Sequence, residues 1–367
     1  MKILVSCVPF DRGESGISVY TREIIEELKR QQHELILLVE SDATVFFPDY
    51  TVIALPRWTK RPLFSMIYHL FIAPFIIKKY RCDFFIIAAG NRRSFMFYPR
   101  FTITVVHDLA QFHIVQKYDS FRMFYLKKIL PIFVRRAPAV VAISKSTARD
   151  LEKFWRVAPD RIHLNYNGLT IPTNQRSGWL KQHNLTGENY ILYLSRIHHP
   201  GKNHLNLMCA FEMLPSEVRG NLKLVFGGSD WDGAEEVHQY AEQSACAEQI
   251  IFTGFIDSAD LEEAYRNAQI YVFPSLFEGF GLSLIEAMYY GVPCCCSNSS
   301  SLGEIGHDAA LLFNPEKPNE IAAAMEKILT DDKLREELIA AGHNRAVEFS
   351  WKKHVKKLVE IYENSRS

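Results

Sequence analysis

Glu278 and Glu286 stand eight positions apart around the stretch Gly279-Phe280-Gly281-Leu282. Upstream, Ile270-Tyr271-Val272-Phe273-Pro274 reads as a buried strand that stops at a proline. From Leu282 to Met288 the apolar spacing is helical, so the two glycines occupy a strand-to-helix joint. Such a joint presents unpaired backbone N–H groups at the positive end of a helix dipole, and glycine lets a ligand approach the main chain closely. That chemistry suits a diphosphate, while one carboxylate before the helix and one a turn inside it accept hydrogen bonds from a sugar ring and a ribose. The pattern predicts a cradle for a sugar nucleotide. A solvated acidic loop would account for the two carboxylates, but not for two glycines and a flanking proline.

Arg196 follows the predicted strand Tyr190–Leu194, and Lys202 comes six residues later, across a loop containing Pro200 and Gly201. Two fixed cations at a strand end stabilise the negative charge that develops on a departing diphosphate; ordinary surface charge is the competing reading. His198, His199 and His204 lie in or beside the same loop, but adjacent histidines rarely turn both rings toward one ion, so no metal is expected there. Asp230-Trp231-Asp232 has the short Asp-x-Asp form that holds a divalent cation. It sits beside Gly227, Gly228 and Gly233, where turn formation explains it. His107 and Asp108 close the predicted strand Ile103–Val106. The loop Phe10–Ser18, with Gly13 and Gly16, lies between a strand and a helix, where it either admits a phosphate or an acceptor or is a plain turn.

The elements that must position these residues alternate along the chain. Ile3–Val8 reads as a strand, followed by an amphipathic helix with Ile17, Tyr20, Ile24, Ile25 and Leu28 on one side, then by the strand Glu34–Val39. Phe84–Ala88, Ile103–Val106 and Val140–Ile143 are short and apolar enough to be buried on both faces, as in a parallel sheet. A Gly- and Pro-bearing polar stretch, Asn167–Gly187, reads as a linker. A second alternating series follows: Tyr190–Leu194, Leu222–Phe226, Ile250–Phe252, Ile270–Phe273 and Pro293–Ser297. No repeat of solenoid or propeller length is visible. The expected fold class is α/β, with two Rossmann-like doubly wound domains, residues 1–170 and 185–349. Ligand-binding loops sit beyond the carboxyl ends of such strands and here would face an interdomain cleft.

At 367 residues the chain suits two domains, and its formal net charge of zero is unevenly shared. Residues 1–170 hold 25 Lys and Arg against 15 Asp and Glu, and the remainder has the opposite imbalance, 17 against 27. Basic residues interleave with aromatic and aliphatic ones from Arg57 to Arg136, a mixture that suits an anionic membrane surface. The apolar stretch Leu63–Ile77, interrupted by His69 and Pro74, is shorter than the roughly twenty residues that span a bilayer. It predicts either a surface-lying segment or a buried helix. Nucleic-acid binding is not expected, because no reading motif accompanies the basic residues. The seven cysteines include Cys294, Cys295 and Cys296 in succession, a spacing that makes no disulfide framework and points to reduced thiols in a cytoplasmic protein. The first apolar run, interrupted by Pro9, Asp11 and Arg12, is too short for a secretory signal.

Phe273-Pro274-Ser275-Leu276-Phe277-Glu278-Gly279-Phe280-Gly281-Leu282, continuing to Gly291-Val292-Pro293, resembles the family 4 retaining glycosyltransferases of GT-B fold. The resemblance extends over nearly the whole chain through His107-Asp108-Leu109, Ala142-Ile143-Ser144-Lys145-Ser146-Thr147, Ser195-Arg196 with Lys202-Asn203, Gly254-Phe255-Ile256 and Phe349-Ser350-Trp351. It implies that Glu278 contacts sugar hydroxyls and Glu286 the ribose. Gly279, Phe280, Gly281 and Leu282 would meet the diphosphate, with backbone amides from the last three, and Gly16 would be a further backbone contact to it. Ile256 would meet the base through its main chain, Arg196 and Lys202 would neutralise the leaving diphosphate, and His107 would position the transferred sugar. It also implies a last helix, residues 350–367, crossing back to the first domain, and a metal-independent reaction with no cofactor beyond the nucleotide-sugar donor. The phrase Arg196-Ile197-His198-His199-Pro200-Gly201-Lys202-Asn203 looks most like family members using GDP-mannose, ahead of UDP-glucose or UDP-N-acetylglucosamine. The expected activity is hexose transfer to a lipid-linked glycan in surface polysaccharide synthesis, with the protein peripheral on the inner face of the plasma membrane. A catalytically silent protein of the same fold, serving as a scaffold, is the alternative.

Overall fold

The computed structural model describes residues 1–11, 15–114, 120–172, 174 and 176–366. Gly13 lies outside the described residues. The chain divides into two compact units, Met1–Gly168 with Ser350–Ser367, and Leu169–Phe349.

The first unit holds seven strands: β1 (Lys2–Ser6), β2 (Glu34–Val39), β3 (Thr51–Ala54), β4 (Phe84–Ile87), β5 (Thr102–Val106), β6 (Ala139–Ala142) and β7 (Ile162–Leu164). They pair in parallel in the order β3-β2-β1-β4-β5-β6-β7, with Leu4 opposite both Ile36 and Phe85. The central strands are apolar at successive positions because helices cover both faces; Ile3, Val5, Phe84, Phe85, Ile86 and Ile87 are wholly buried. The sheet order reverses between β1 and β4, so the loops leaving those two strands diverge and leave room at their carboxyl ends.

The helix Gly16–Arg30 is capped by Ser15, whose hydroxyl accepts from Ser18 N, and buries Tyr20, Ile24 and Leu28. The last helix, Trp351–Asn364, belongs to this unit and is capped by Ser350. Tyr20 Oη donates to His354 Nε2 at 2.8 Å, His354 Nδ1 donates to the Tyr166 carbonyl at 2.8 Å, and Asn165 donates to the His354 carbonyl at 3.0 Å. Two helical segments share a device. Tyr68–Ile72 forms a π turn just before Pro74, and Tyr125–Ile129 forms one just before Pro131. A proline lacks the N–H of an α turn and its ring collides with the carbonyl four residues back; the wider turn accommodates both.

The second unit holds β8 (Tyr190–Leu194), β9 (Lys223–Gly227), β10 (Ile250–Gly254), β11 (Ile270–Phe273), β12 (Cys294–Ser297) and β13 (Leu311–Phe313), again all parallel, in the order β10-β9-β8-β11-β12-β13. Here the order reverses between β8 and β11. All three cysteines of β12 are buried; the Cys294 thiol donates to the Val292 carbonyl at 3.1 Å, and burial pushes all three thiols up.

Three strands, β3, β7 and β13, were not expected from the sequence. Each is an edge strand of three or four residues and partly exposed, so none carries the continuous apolar run that marks a doubly covered strand. The stretch expected as a linker also contains ordered structure. Trp179–Gln182 is a helical turn whose first amides, Gly178 N and Trp179 N, donate to Glu263 at 2.9 and 2.6 Å, with Trp179 buried.

Gly168 fixes where the last helix begins. A Cβ at this position would stand 2.2 Å from Trp351 N and 2.5 Å from the indole, with backbone rather than a flexible side chain in the way. Gly168→Ala is expected to destabilise the first unit by about 2–4 kcal/mol through this overlap. Urea unfolding followed by tryptophan fluorescence measures the loss; an unchanged midpoint would show that the helix start yields freely.

Candidate functional site

The reversal point of the second sheet gathers most of the residues singled out in the sequence. Lys202 lies in the loop after β8 and Glu278 in the loop after β11, and they form an ion pair, Nζ to Oε1, at 2.5 Å. Both side chains are largely enclosed, 26% and 15% exposed. The supports around them are mostly backbone. Asn203 donates to the carbonyls of Pro274 and Pro315 at 2.9 and 2.7 Å, and Leu276 N donates to Gly201 O at 3.1 Å, so the two loops are stitched together on both sides of the pair. Tyr193 Oη donates to the Lys202 carbonyl at 2.9 Å and shares a second bond with Ser275. Ser300 accepts from Glu278 N at 2.9 Å, and the Ser301 hydroxyl reaches the carbonyls of Glu278 and Phe280. The carboxylate and the ammonium are held in place before any ligand arrives, which is the condition for electrostatic preorganisation.

The predicted strand-to-helix joint forms as expected. β11 ends at Phe273 and a helix, Leu282–Tyr289, begins after Gly281. Gly281 is the N-cap with φ of +109°, a left-handed conformation that side chains disfavour, and a Cβ there would also meet Leu302 at 2.7 Å. A glycine cap brings no side-chain acceptor to the first turn; Leu284 N donates to the Gly281 carbonyl at 3.1 Å instead. Phe280 is buried edge-on against Phe349 at 5.5 Å, anchoring the turn. Glu286, inside the helix, accepts from Tyr265 Oη at 2.9 Å. Burial pushes its carboxyl up to about 7, against the opposing effect of that hydrogen bond.

Arg196 lies beyond β8 and stacks its guanidinium on Trp231 at 4.6 Å. The Asp-x-Asp segment is engaged locally: Asp230 Oδ1 is 2.9 Å from His238 Nε2, Trp231 N donates to Ile197 O, and Asp232 O accepts from His199 N. Among the described residues no group of three or more His, Cys, Asp or Glu is arranged to hold a metal ion. Ile256 follows β10 with its side chain buried close to Gly227.

Gly16 and His107 belong to the first unit. Gly16 is the exposed first residue of its helix. His107 is buried after β5; its Nε2 is 2.7 Å from the Ala88 carbonyl and must donate to it, since a carbonyl only accepts. Nδ1 is thereby left as an acceptor. Burial holds the imidazole down at about 4, so it is neutral at physiological pH and its charge does not enter the chemistry there. Tyr20 packs edge-on to it at 4.7 Å and itself donates to His354. Tyr265 and His354 escaped sequence reading: each is an ordinary helix residue whose partner, Glu286 or Tyr20, lies 21 or 334 positions away. Trp231, inside the noted Asp-Trp-Asp segment, and Asn203, beside Lys202 in the family resemblance, were quoted in the sequence without a role of their own.

Comparison with known proteins adds to this geometry. Residues 175–345 match the family model described as "Glycosyl transferases group 1" and residues 15–171 the model described as "Glycosyltransferase Family 4". The O-antigen chain mannosyltransferase B of Escherichia coli is 30% identical over 266 residues, covering 71% of this chain and 69% of that protein. The serotype-specific mannosyltransferase WbdA of Escherichia coli is 33% identical over 265 residues, 69% of this chain but only 32% of that protein, so the match spans about a third of its length. Among solved structures, sucrose-phosphate synthase from Thermosynechococcus elongatus superposes with a TM-score of 0.78 at 21% identity, over 99% of this chain and 98% of that one. HepE of Anabaena, solved with UDP and glucose, superposes with a TM-score of 0.76 at 16% identity, over 99% and 100%.

The raised Glu286 carboxyl has a pH signature of definite sign. Its folded value of about 7 lies above the ordinary 4.5, so the folded protein disfavours the ionised form. The resulting cost is absent below about 4.5 and grows as pH rises through 7. Glu286→Gln, whose amide oxygen still accepts from Tyr265, is expected to stabilise the protein at pH 8 by an amount on the order of 1–3 kcal/mol. The gain should shrink toward pH 5. Equal gains at both pH values, read from urea midpoints, would assign Glu286 an ordinary carboxyl.

Proposed function

Because the chain belongs to the group 1 glycosyltransferases of family 4, with the GT-B fold, we propose that it transfers mannose from GDP-mannose onto a lipid-linked glycan during surface polysaccharide synthesis, retaining the anomeric configuration and using no metal ion. The observation that carries this reading is the Lys202–Glu278 pair, fixed at the reversal of the second sheet beside a glycine-capped helix. On donor binding Glu278 accepts from sugar hydroxyls. Lys202 and Arg196 take up the charge on the departing diphosphate together with the amides of Phe280, Gly281 and Leu282, Gly279 leaving room for the phosphates. Glu286 accepts from the ribose. Gly16 gives a further amide to the diphosphate, and the Ile256 main chain meets the base. His107, neutral and with Nδ1 as its open acceptor, orients the sugar. The acceptor oxygen bonds to the anomeric carbon on the face from which the diphosphate leaves, and the acceptor's proton passes to the leaving phosphate oxygen. Two cations already present at the diphosphate make a metal superfluous.

Mannose is preferred because the relatives described above are mannosyltransferases. UDP-hexose or UDP-N-acetylhexosamine is the alternative donor. Membrane attachment is supported by the first unit's outer surface. Residues 57–136 contain 15 Lys and Arg against three Asp and Glu, and Trp58, Leu63, Phe64, Ile67, Phe71 and Phe75 are all exposed. The same segment turns Met66, Tyr68, His69, Leu70 and Ala73 into the core, so Leu63–Ile77 has one buried side and one exposed apolar side that would meet the membrane. Among the described residues no helix is long and apolar enough to cross a membrane.

A thermal-shift screen against GDP, UDP, ADP and their sugar conjugates, with and without magnesium, is expected to show stabilisation by GDP and GDP-mannose regardless of metal, since a ligand that binds only the folded state raises its melting point. A response to UDP compounds alone would replace the donor, and a strict magnesium requirement would remove the metal-free reading. Lys202→Ala and Glu278→Ala should each lower transfer by about 100-fold or more while the protein stays folded; near-normal transfer by either would remove that residue from the site. Nucleotide binding without turnover on any lipid-linked acceptor would favour the scaffold alternative. In vesicle flotation the protein should accompany phosphatidylcholine–phosphatidylglycerol vesicles and not pure phosphatidylcholine, with Phe71→Ser/Phe75→Ser weakening binding about tenfold, the loss of a little over 1 kcal/mol of interfacial burial.

A further inference from the structure

The loop leaving β4 carries a buried cation whose charge no side chain among the described residues neutralises by contact. Arg93 is 6% exposed; its Nη1 donates to the Arg92 carbonyl at 3.1 Å and its Nη2 to Ser65 Oγ at 3.0 Å, while Nε has no partner. Among the described residues its side-chain hydrogen bonds go to neutral oxygens and no carboxylate is paired with it, while Glu40 acts on it at longer range. Burial brings the guanidinium down to about 10, so it remains charged at neutral pH. A buried charge of this kind carries a desolvation penalty that a bound anion would offset.

Arg93 is not alone in being unsatisfied. Gln111 Nε2, in the turn after β5, and Tyr125 Oη, on the π turn Tyr125–Ile129, are also buried without a hydrogen-bond partner, and Tyr125 lies within electrostatic range of Arg93. Asn91 Oδ1 is buried and unpartnered in the same loop. β4 and β5 are neighbours, and their carboxyl-end loops are tied together by His107 Nε2 on Ala88 O at 2.7 Å and Gly90 N on Val105 O at 2.6 Å. One N–H of a guanidinium, one amide N–H and one phenol O–H, all donors and all desolvated, match the oxygens of a phosphate.

We propose that Arg93, Gln111 and Tyr125 form an anion site in the first unit that takes the phosphate or diphosphate of the acceptor. The inference rests on the glycosyl-transfer reading for its word acceptor, but not for the anion. The neighbouring helix holds Arg93 from its inner side: Ser65 Oγ accepts from Nη2, and His69 binds the Ser94 carbonyl in the same loop.

The test is calorimetric titration of the full chain with farnesyl diphosphate, inorganic pyrophosphate and farnesol, on the parent protein and on Arg93→Gln, Arg93→Lys, Tyr125→Phe and Arg196→Gln. Saturable binding of farnesyl diphosphate is expected, weakened at least tenfold by Arg93→Gln, several-fold by Tyr125→Phe, partly restored by Arg93→Lys, and unchanged by Arg196→Gln. Pyrophosphate binding as tightly as farnesyl diphosphate would identify a free phosphate as the natural source, and tighter farnesyl diphosphate binding a lipid head group; both keep the site. Binding lost in Arg196→Gln and kept in Arg93→Gln and Tyr125→Phe, binding of farnesol equal to that of its diphosphate, or no saturable binding would overturn it. Tyr125→Phe removes a single unpartnered oxygen and tests the site even if Arg93→Gln does not fold. The nucleotide response in the thermal-shift screen, measured on the same preparations, separates failure of this site from failure of the transferase reading.

Discussion

A parallel sheet covered on both faces by helices leaves polar chemistry only one place to go, the ends of its strands. Side chains along β1, β4, β8 and β11 are consumed by the core, and the backbone amides and carbonyls by the ladders. Charged groups thus collect in the loops after those strands, at the two points where strand order reverses. Lys202, Glu278 and the amides before Leu282 occupy one such point; Arg93, Asn91 and the first turn of the helix Gly16–Arg30 surround the other. The two sheets have the same order over their first strands, yet their strand ends are furnished differently. The second presents a balanced ion pair, the first a buried cation held by neutral oxygens, with no carboxylate in contact among the described residues.

Legibility from sequence followed the same constraint. Doubly covered strands such as Phe84–Ile87 and Ile270–Phe273 are unbroken apolar runs and were placed within a residue or two. The glycine joint at 279–281 announced itself because its composition is useless for anything but a turn or a close approach. What sequence did not reveal depends on distance along the chain or on half-burial. Edge strands β3, β7 and β13 present only one partner and one covered side, so their residues are mixed. Tyr265 beneath Glu286, and His354 against Tyr20, are ordinary helix residues until the fold brings their partners to them. The pairing of Lys202 with Glu278 was likewise invisible, although each was singled out: the sequence assigned both to ligand, and the structure adds that they hold one another.

Burial tunes the titratable groups of the two units in a common direction, toward neutrality. His107 and His354 are held down at about 4, His69 and His204 at about 3, and Glu286 is raised to about 7. The imidazoles therefore serve as fixed hydrogen-bonding struts. Glu286 sits where a change of proton falls in the physiological range. The open charges that remain, Lys202 with Glu278 and Arg93, are those for which a charged ligand is the natural complement.

The bond between Tyr20 and His354 spans 334 positions, and it ties the first helix of the chain to a helix that follows the whole of the second unit. The first unit is thus interrupted in sequence by the second. During synthesis β1 to β7 emerge long before the helix that covers Tyr20 and Phe84, whereas the second unit is contiguous and completes itself as it appears. A ribosome-bound chain would pass through a stage in which the second unit is finished and the basic first unit still shows apolar surface, so the late helix acts as a latch on assembly as well as a wall of the fold.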